Sequence, residues 1–194
     1  MSNLSTNSMD FLSFVSSLSL LESEAKAALE TKLYPKKYRK GELILETGMV
    51  CKRIYFVDNG LVKTFFYTDT REFIMRFFPE GRMFTVLDSF VLQQPSSYSV
   101  LAIEDSAITC LNYNDLEMLC QRHHSIETFY RKLISLAAVN MMDRINGTLE
   151  EKAQTAYHKF LKEYGPLLQR ISLADLASYL GITQVSLSRI RAMK

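Results

Sequence analysis

Leu173-Ala-Asp-Leu-Ala177-Ser-Tyr-Leu-Gly181-Ile-Thr183-Gln-Val-Ser-Leu187-Ser-Arg189-Ile190 carries its apolar residues at the offsets of two short helices packed across a tight turn. Leu173, Leu176, Ala177 and Leu180 fall on one face of a first helix, and Leu187 and Ile190 return a second helix to the same core. Gly181 supplies the left-handed residue between them, and Ala177 is small where the helices cross. Thr183 is placed to N-cap the second helix, which leaves Gln184, Val185, Ser188 and Arg189 on its outer, N-terminal face. The plainer alternative is a helical hairpin that only closes a core. The offsets of Ala177, Gly181 and the flanking aliphatics are, however, those used for docking in the major groove.

The chemistry of the outer face agrees with that docking. Arginine can donate two hydrogen bonds to guanine, glutamine can pair bidentately with adenine, and the hydroxyls of Thr183 and Ser186 can hold phosphates. Arg170, Arg191 and Lys194 add positive charge around the second helix against Asp175 alone, so this end of the chain is locally basic. The whole chain is not: its formal charge is +2. Affinity for nucleic acid must therefore come from a local patch rather than a general field.

At 194 residues the chain accommodates a medium domain followed by a small one. No stretch approaches the roughly twenty apolar residues of a membrane span, and the polar N-terminus is unlike a signal peptide, so a cytoplasmic location without membrane contact is expected. Cys51, Cys110 and Cys120 are scattered, which speaks for reduced, packed thiols rather than disulfides or a cysteine-rich metal site. His123, His124 and His158 lack a partner set for zinc, and no metal site is expected. Asp88 and Glu104 read as isolated acids without a partnered base. With no glycine-rich phosphate loop or nucleophile motif, this argues against an enzyme.

Upstream, Asp10 to Leu20 and Glu22 to Leu33 read as two short helices. From Tyr38 to Leu111 the period changes to strands, broken by turn chemistry at Lys40-Gly41, Asp58-Asn59-Gly60, Asp69, Pro79-Glu80-Gly81 and Pro95-Ser96-Ser97. That spacing predicts an antiparallel β-barrel or roll. Asn59-Gly60 is the strongest hairpin signal, as the loop of a type I′ turn with positive φ at both positions. Asn114 opens a further short helix, and a longer one is expected from Ser125 to Ile145. Its wide apolar stripe, with Ile126, Tyr130, Leu133, Ala137 and Met141, suits a helix that covers the roll on one side and a partner subunit on the other. A helix wholly internal to one subunit is the alternative. Asn146-Gly147 is expected to end it, Leu149 to Tyr164 to form the next helix, and Gly165-Pro166 to break before the helix-turn-helix.

Taken in order, Lys40-Gly41-Glu42, Gly48, Ile54-Tyr55-Phe56, Asn59-Gly60, Leu61-Val62-Lys63, Leu101-to-Ser106, the long helix and the terminal helix-turn-helix resemble the Crp/Fnr family of bacterial transcription regulators. The resemblance covers nearly the whole chain. It implies an α+β protein: an antiparallel jelly roll of the cyclic-nucleotide-binding type, a long dimerisation helix and a helix-turn-helix domain. On it we place a sensor domain at 1–122, the dimerisation helix at 123–147 and the DNA-binding domain at 148–194. The partners implied are a pseudo-palindromic double-stranded operator, a second copy of the chain and RNA polymerase. Gln184, Val185 and Arg189 stand at the family's base-reading positions and Ser186 at a phosphate contact.

Departures from the family narrow the reading. Members that bind cyclic AMP use a Gly-Glu pair for the ribose and an Arg-Ser pair for the cyclic phosphate. Here Thr85-Val86 and Ser96-Ser97 hold those places, so the usual cyclic AMP contacts are missing. Arg76 or Arg82 would have to replace the cation from elsewhere. No N-terminal cysteine cluster offers an iron-sulfur site, and no cofactor is identifiable. The candidates to line an apolar pocket for a small-molecule effector of unassigned identity are Phe65, Phe73, Met75, Phe84, Thr85, Val86, Leu87, Ser96 and Ser97, with Phe65, Phe73, Met75, Phe84 and Leu87 reading as core just as readily. Lys194 follows directly on the recognition helix, so either this is a short-form member with a shortened or absent β-wing, or the sequence is a piece of a longer chain. Val185 replaces an acid that many members direct at cytosine. The expected function is a homodimeric, sequence-specific transcription regulator governed by a signal in the roll. The alternative is a cyclic-nucleotide-binding-like interaction module that no longer binds DNA.

Overall fold

The computed structural model describes residues 9–69, 71–150 and 152–192. Asp10 caps α1 (Phe11–Leu18) by accepting from the Ser13 amide, and α2 (Ser23–Glu30) follows. The strands β1 (Tyr34–Tyr38), β2 (Leu43–Leu45), β3 (Arg53–Asn59), β4 (Val62–Tyr67), β5 (Glu72–Phe78), β6 (Met83–Phe84), β7 (Ser99–Ala102) and β8 (Ser106–Asn112) form two antiparallel sheets, in the orders β1-β8-β3-β6 and β2-β7-β4-β5. A helix that strand periodicity did not foretell, α3 (Leu87–Leu92), interrupts the run before β7.

In β3 the run Ile54-Tyr55-Phe56-Val57 is buried throughout, as expected of a strand covered on both faces. Phe56 meets the rings of Phe11 and Phe14 from α1. Tyr55 stacks on Phe84, and Phe84 on Phe78 of the other sheet, so one column of rings spans the sandwich.

The expected Asn59-Gly60 hairpin is not formed. β3 pairs with β8 and β6 while β4 pairs with β5 and β7, so the dipeptide carries the chain from one sheet to the other. Gly60 has φ +98°, and Asn59 is not among the positive-φ residues. The glycine is required by close approach: a Cβ there would lie 2.3 Å from Ser106 Oγ and 2.8 Å from the Asp105 carbonyl.

Between β4 and β5, Thr64 faces Arg76 but Phe65 faces Ile74, which makes Met75 the extra residue of a bulge. Ile74 and Phe77, three apart, thereby share the outer face of their sheet with Phe65. That face is covered by the C-terminal helices.

After α4 (Tyr113–Arg122), α5 runs as His124–Glu150. The stop expected at Asn146-Gly147 is overrun, since glycine inside a helix costs only about 1 kcal/mol and its backbone is not obliged to turn left-handed. The break falls instead at Lys152 (φ −63°, ψ 145°), ahead of α6 (Ala153–Tyr164), so the helix expected from Leu149 starts four residues late. A 3-10 turn over Gly165–Gln169 leads to α7 (Leu173–Leu180) and α8 (Gln184–Ala192). Among the described residues no helix is long and apolar enough to cross a membrane.

Candidate nucleic-acid interface and sensor roll

Ser172 and Asp175 form a capping box that starts α7: the Ser172 hydroxyl accepts from the Asp175 amide, and the Asp175 carboxylate accepts from the Ser172 amide. Gly181, at φ +70°, ends the helix in the left-handed region. Thr183 Oγ1 accepts from the Ser186 amide at 3.1 Å, which caps α8. Leu187 is buried against Leu176, Ala177, Phe160 and Leu167. Leu173 is 48% exposed and lies outside that core, a correction to the expected apolar face; it occupies the first position of α7, at the open end of the helix.

The outer face of α8 is open. Gln184, Val185, Ser188, Arg189 and Arg191 are exposed, and Ser186 is half-buried. The hydroxyls of Thr183 and Ser186 are 3.0 Å apart, so one donates to the other and one O–H stays free for an acceptor outside the protein. Lys194 lies outside the described residues.

Arg170 does not stand free. It donates through Nε and Nη2 to Glu104 at 3.0 and 2.6 Å, and through Nη1 and Nη2 to Glu80 at 2.9 and 2.8 Å. Glu104, isolated in the sequence, is therefore half of a doubly bidentate clamp. Glu80 also accepts from the Gly60 amide at 2.9 Å. Burial pushes the Glu80 pKa up, and the hydrogen bonds from Arg170 outweigh it, leaving the carboxyl below its ordinary value.

A second cluster joins the same two parts of the molecule. Lys63, 8% exposed on β4, donates to Glu72 of β5 and Asp175 of α7, each at 2.8 Å. Burial opposes its charge, but the two carboxylates prevail and the Lys63 pKa is raised; for Asp175 burial is likewise overcome, by Lys63 and Ser172, and the pKa is lowered. Arg71 donates to the Gly181 carbonyl at the C-terminus of α7, at 3.2 Å. Arg144 lies 4.0 Å over the Tyr179 ring and donates to the Tyr179 carbonyl. Sequence reasoning missed Lys63, Arg71, Glu72, Glu80 and Arg144, whose partners are 35 to 112 residues away apart from Lys63 and Glu72. A legible signal was the Ser172-x-x-Asp175 spacing.

The residues expected to line one effector pocket are divided by the sheet. Phe65 is buried against the helix-turn-helix, not inside the roll. Met75 is the bulged residue, and Phe73 stacks on Phe66 with Arg71 over its ring at 4.1 Å. Phe84 and Val86 are core residues, and Leu87 opens α3. Thr85 Oγ1 donates to the Arg53 carbonyl. The buried Ser96 hydroxyl accepts from the Tyr98 amide at 2.9 Å and donates to the Tyr98 carbonyl at 2.8 Å, so it is used up in a turn; Ser97 is exposed. Arg82 is exposed and Arg76 half-buried on β5.

The apolar residues of α5 also serve two ends. Ile126, Phe129 and Leu133 are buried in the roll's own core, with Tyr130 packed against it. Ile126 and Leu133 thus form the side of the stripe that covers the roll. Farther along, Ala137 is half-buried, and Leu136, Val139, Met141, Met142 and Ile145 are exposed.

Residues 35–123 match the family described as Cyclic nucleotide-binding domain. The fold is that of solved regulators of the Crp/Fnr type. FixK2 from Bradyrhizobium japonicum is similar with a TM-score of 0.70 at 19% identity, over 82% of this chain and 83% of that one. A transcriptional regulator assigned to the Crp/Fnr family from Eubacterium rectale gives 0.71 at 16% identity, over 88% and 82%. The catabolite activator protein of Thermus thermophilus gives 0.55 at 22% identity, over 89% and 83%. No curated protein matches the chain in sequence.

Proposed function

We propose that the protein is a homodimeric, sequence-specific DNA-binding transcription regulator whose roll receives a signal other than cyclic AMP. The observation that carries the reading is the outward face of α8: Gln184, Val185, Ser188 and Arg189 are exposed on a helix N-capped by Thr183, with Leu187 anchoring the opposite face. A recognition helix needs that division between an anchored and a solvated side. Arg189 and Gln184 supply base contacts; Arg191 and the free hydroxyl of the Thr183–Ser186 pair supply phosphate contacts. The exposed apolar residues in the C-terminal half of α5 support a second copy packed along that helix. Commitment of Ser96 to the Tyr98 backbone supports an effector chemistry other than a cyclic phosphate.

Selection of duplexes from a random pool, followed by footprinting, tests the reading. An enriched sequence with two related half-sites about one helical turn apart is expected. A pool that stays random after selection sinks it and favours the interaction module.

A further inference from the structure

We propose that Glu80 and Glu104 are an internal competitor for the DNA backbone: they hold the guanidinium of Arg170 in the geometry a phosphate would adopt, and DNA binding exchanges carboxylate for phosphate at that residue. The proposal rests on the DNA-binding reading above. Arg170 lies two residues ahead of Ser172, the N-cap of α7, and α7 is the helix that in this motif crosses the sugar-phosphate backbone, so phosphate is expected beside this end of the helix. A guanidinium fork fits carboxylate and phosphate equally well, and here two carboxylates fill it from Nε, Nη1 and Nη2 at 2.6 to 3.0 Å.

Charge decides the direction of the effect. One cation is set against two anions at Arg170, and again at Lys63 with Glu72 and Asp175, so each cluster carries a net negative charge beside the recognition module. The clamp withholds a cation and also presents an excess anion to the approaching duplex. Arg170, Glu80 and Glu104 keep 28%, 35% and 33% of their side-chain surface in water, so the exchange needs only rotation of side chains at the rim. The apolar core beneath stays closed.

Glu104→Gln is the test variant, because the Glu104 side chain bonds Arg170 whereas Glu80 also holds the Gly60 amide. Binding is read by fluorescence anisotropy on the duplex that the wild-type protein enriches, over a range of KCl. Glu104→Gln should bind about three- to ten-fold tighter with an unaltered log K against log salt slope, because Arg170 meets one phosphate in either protein. Adding Arg170→Gln should abolish the gain and make the slope shallower by about 0.9, one phosphate lost. Unchanged affinity in Glu104→Gln, or weaker binding with an unaltered thermal transition, overturns the competitor. The wild-type protein gives a reading independent of any variant's folding: the 15Nε resonance of Arg170 should shift on saturation with duplex, and an unmoved resonance overturns the proposal. If the wild-type protein enriches a palindrome and these outcomes are negative, only the competitor is lost. If neither wild type nor Glu104→Gln enriches any sequence, the DNA-binding reading falls and the competitor with it.

Discussion

Arg189 and Arg170 bring the same guanidinium into opposite circumstances, the first exposed on α8 and the second forked onto two carboxylates. Arg189→Ala should cost about 1–3 kcal/mol on the best duplex and flatten the penalty for a substituted guanine. Equal weakening of matched and mismatched duplexes would reduce Arg189 to a phosphate contact. Gly60 is constrained by both φ and space, with Ser106 and Asp105 closing the position. Gly60→Ala should lower unfolding free energy by about 2 kcal/mol or more in urea titrations, since the left-handed penalty of roughly 1–2 kcal/mol comes on top of a clash with backbone. At Ser96, titration calorimetry with cyclic AMP should give no heat at micromolar concentrations, because the hydroxyl is already bonded to Tyr98 and a neutral turn offers the cyclic phosphate no counter-charge. Saturable micromolar binding would contradict this and direct attention to Arg76 and Arg82.

In α5, one helix has an intramolecular half and a half with exposed apolar side chains, and substitutions in the two should fail differently. Leu133→Ala should lower stability by about 2–5 kcal/mol without altering the mass seen in sedimentation, as loss of a core side chain does. Met141→Glu should leave the fold's stability nearly intact and yield monomers; an unchanged mass would remove this part of α5 from the dimer interface. Periodicity made the long helix legible but could not tell which apolar residues meet the roll, because both sets obey the same 3.6-residue repeat. The helix-turn-helix was legible down to Thr183 and Gly181, since capping and left-handed turns are local chemistry. Asn59-Gly60 misled for the complementary reason: a turn dipeptide reports local backbone, while strand partners are settled by residues such as Phe84 and Thr109 far along the chain. The outward turn of Phe65 and Ile74 depends on a bulge at Met75 that leaves no mark in composition.

The two charge clusters span the junction between the second sheet and the C-terminal helices, so their titration reports on the whole molecule. The folded-state pKa values of Asp175 and Glu80 lie below the ordinary carboxylate values. The unfolded chain therefore binds more protons in that interval, and the stabilisation is complete only above about pH 5 and lost as pH falls through the lowered values. Lys63 has the opposite sign: its contribution is full below about pH 10 and fades as pH rises through its raised pKa. Urea midpoints should consequently hold level through neutrality and fall on the acid side, and Lys63→Met should shrink the acid-side fall. An identical acid profile in Lys63→Met would show that the cluster is not what titrates. Leu61, Phe65, Ile74 and Phe77 of the roll share one core with Phe160, Leu176 and Leu187 of the C-terminal helices. A fragment cut within α5 would put those four roll side chains in contact with water and aggregate. Calorimetry of the intact chain should give a single endotherm, because the C-terminal helices cannot melt while the sheet beneath them stays folded without leaving a greasy scar. This protein is thus indivisible in a way its string-like succession of roll, long helix and helix-turn-helix conceals.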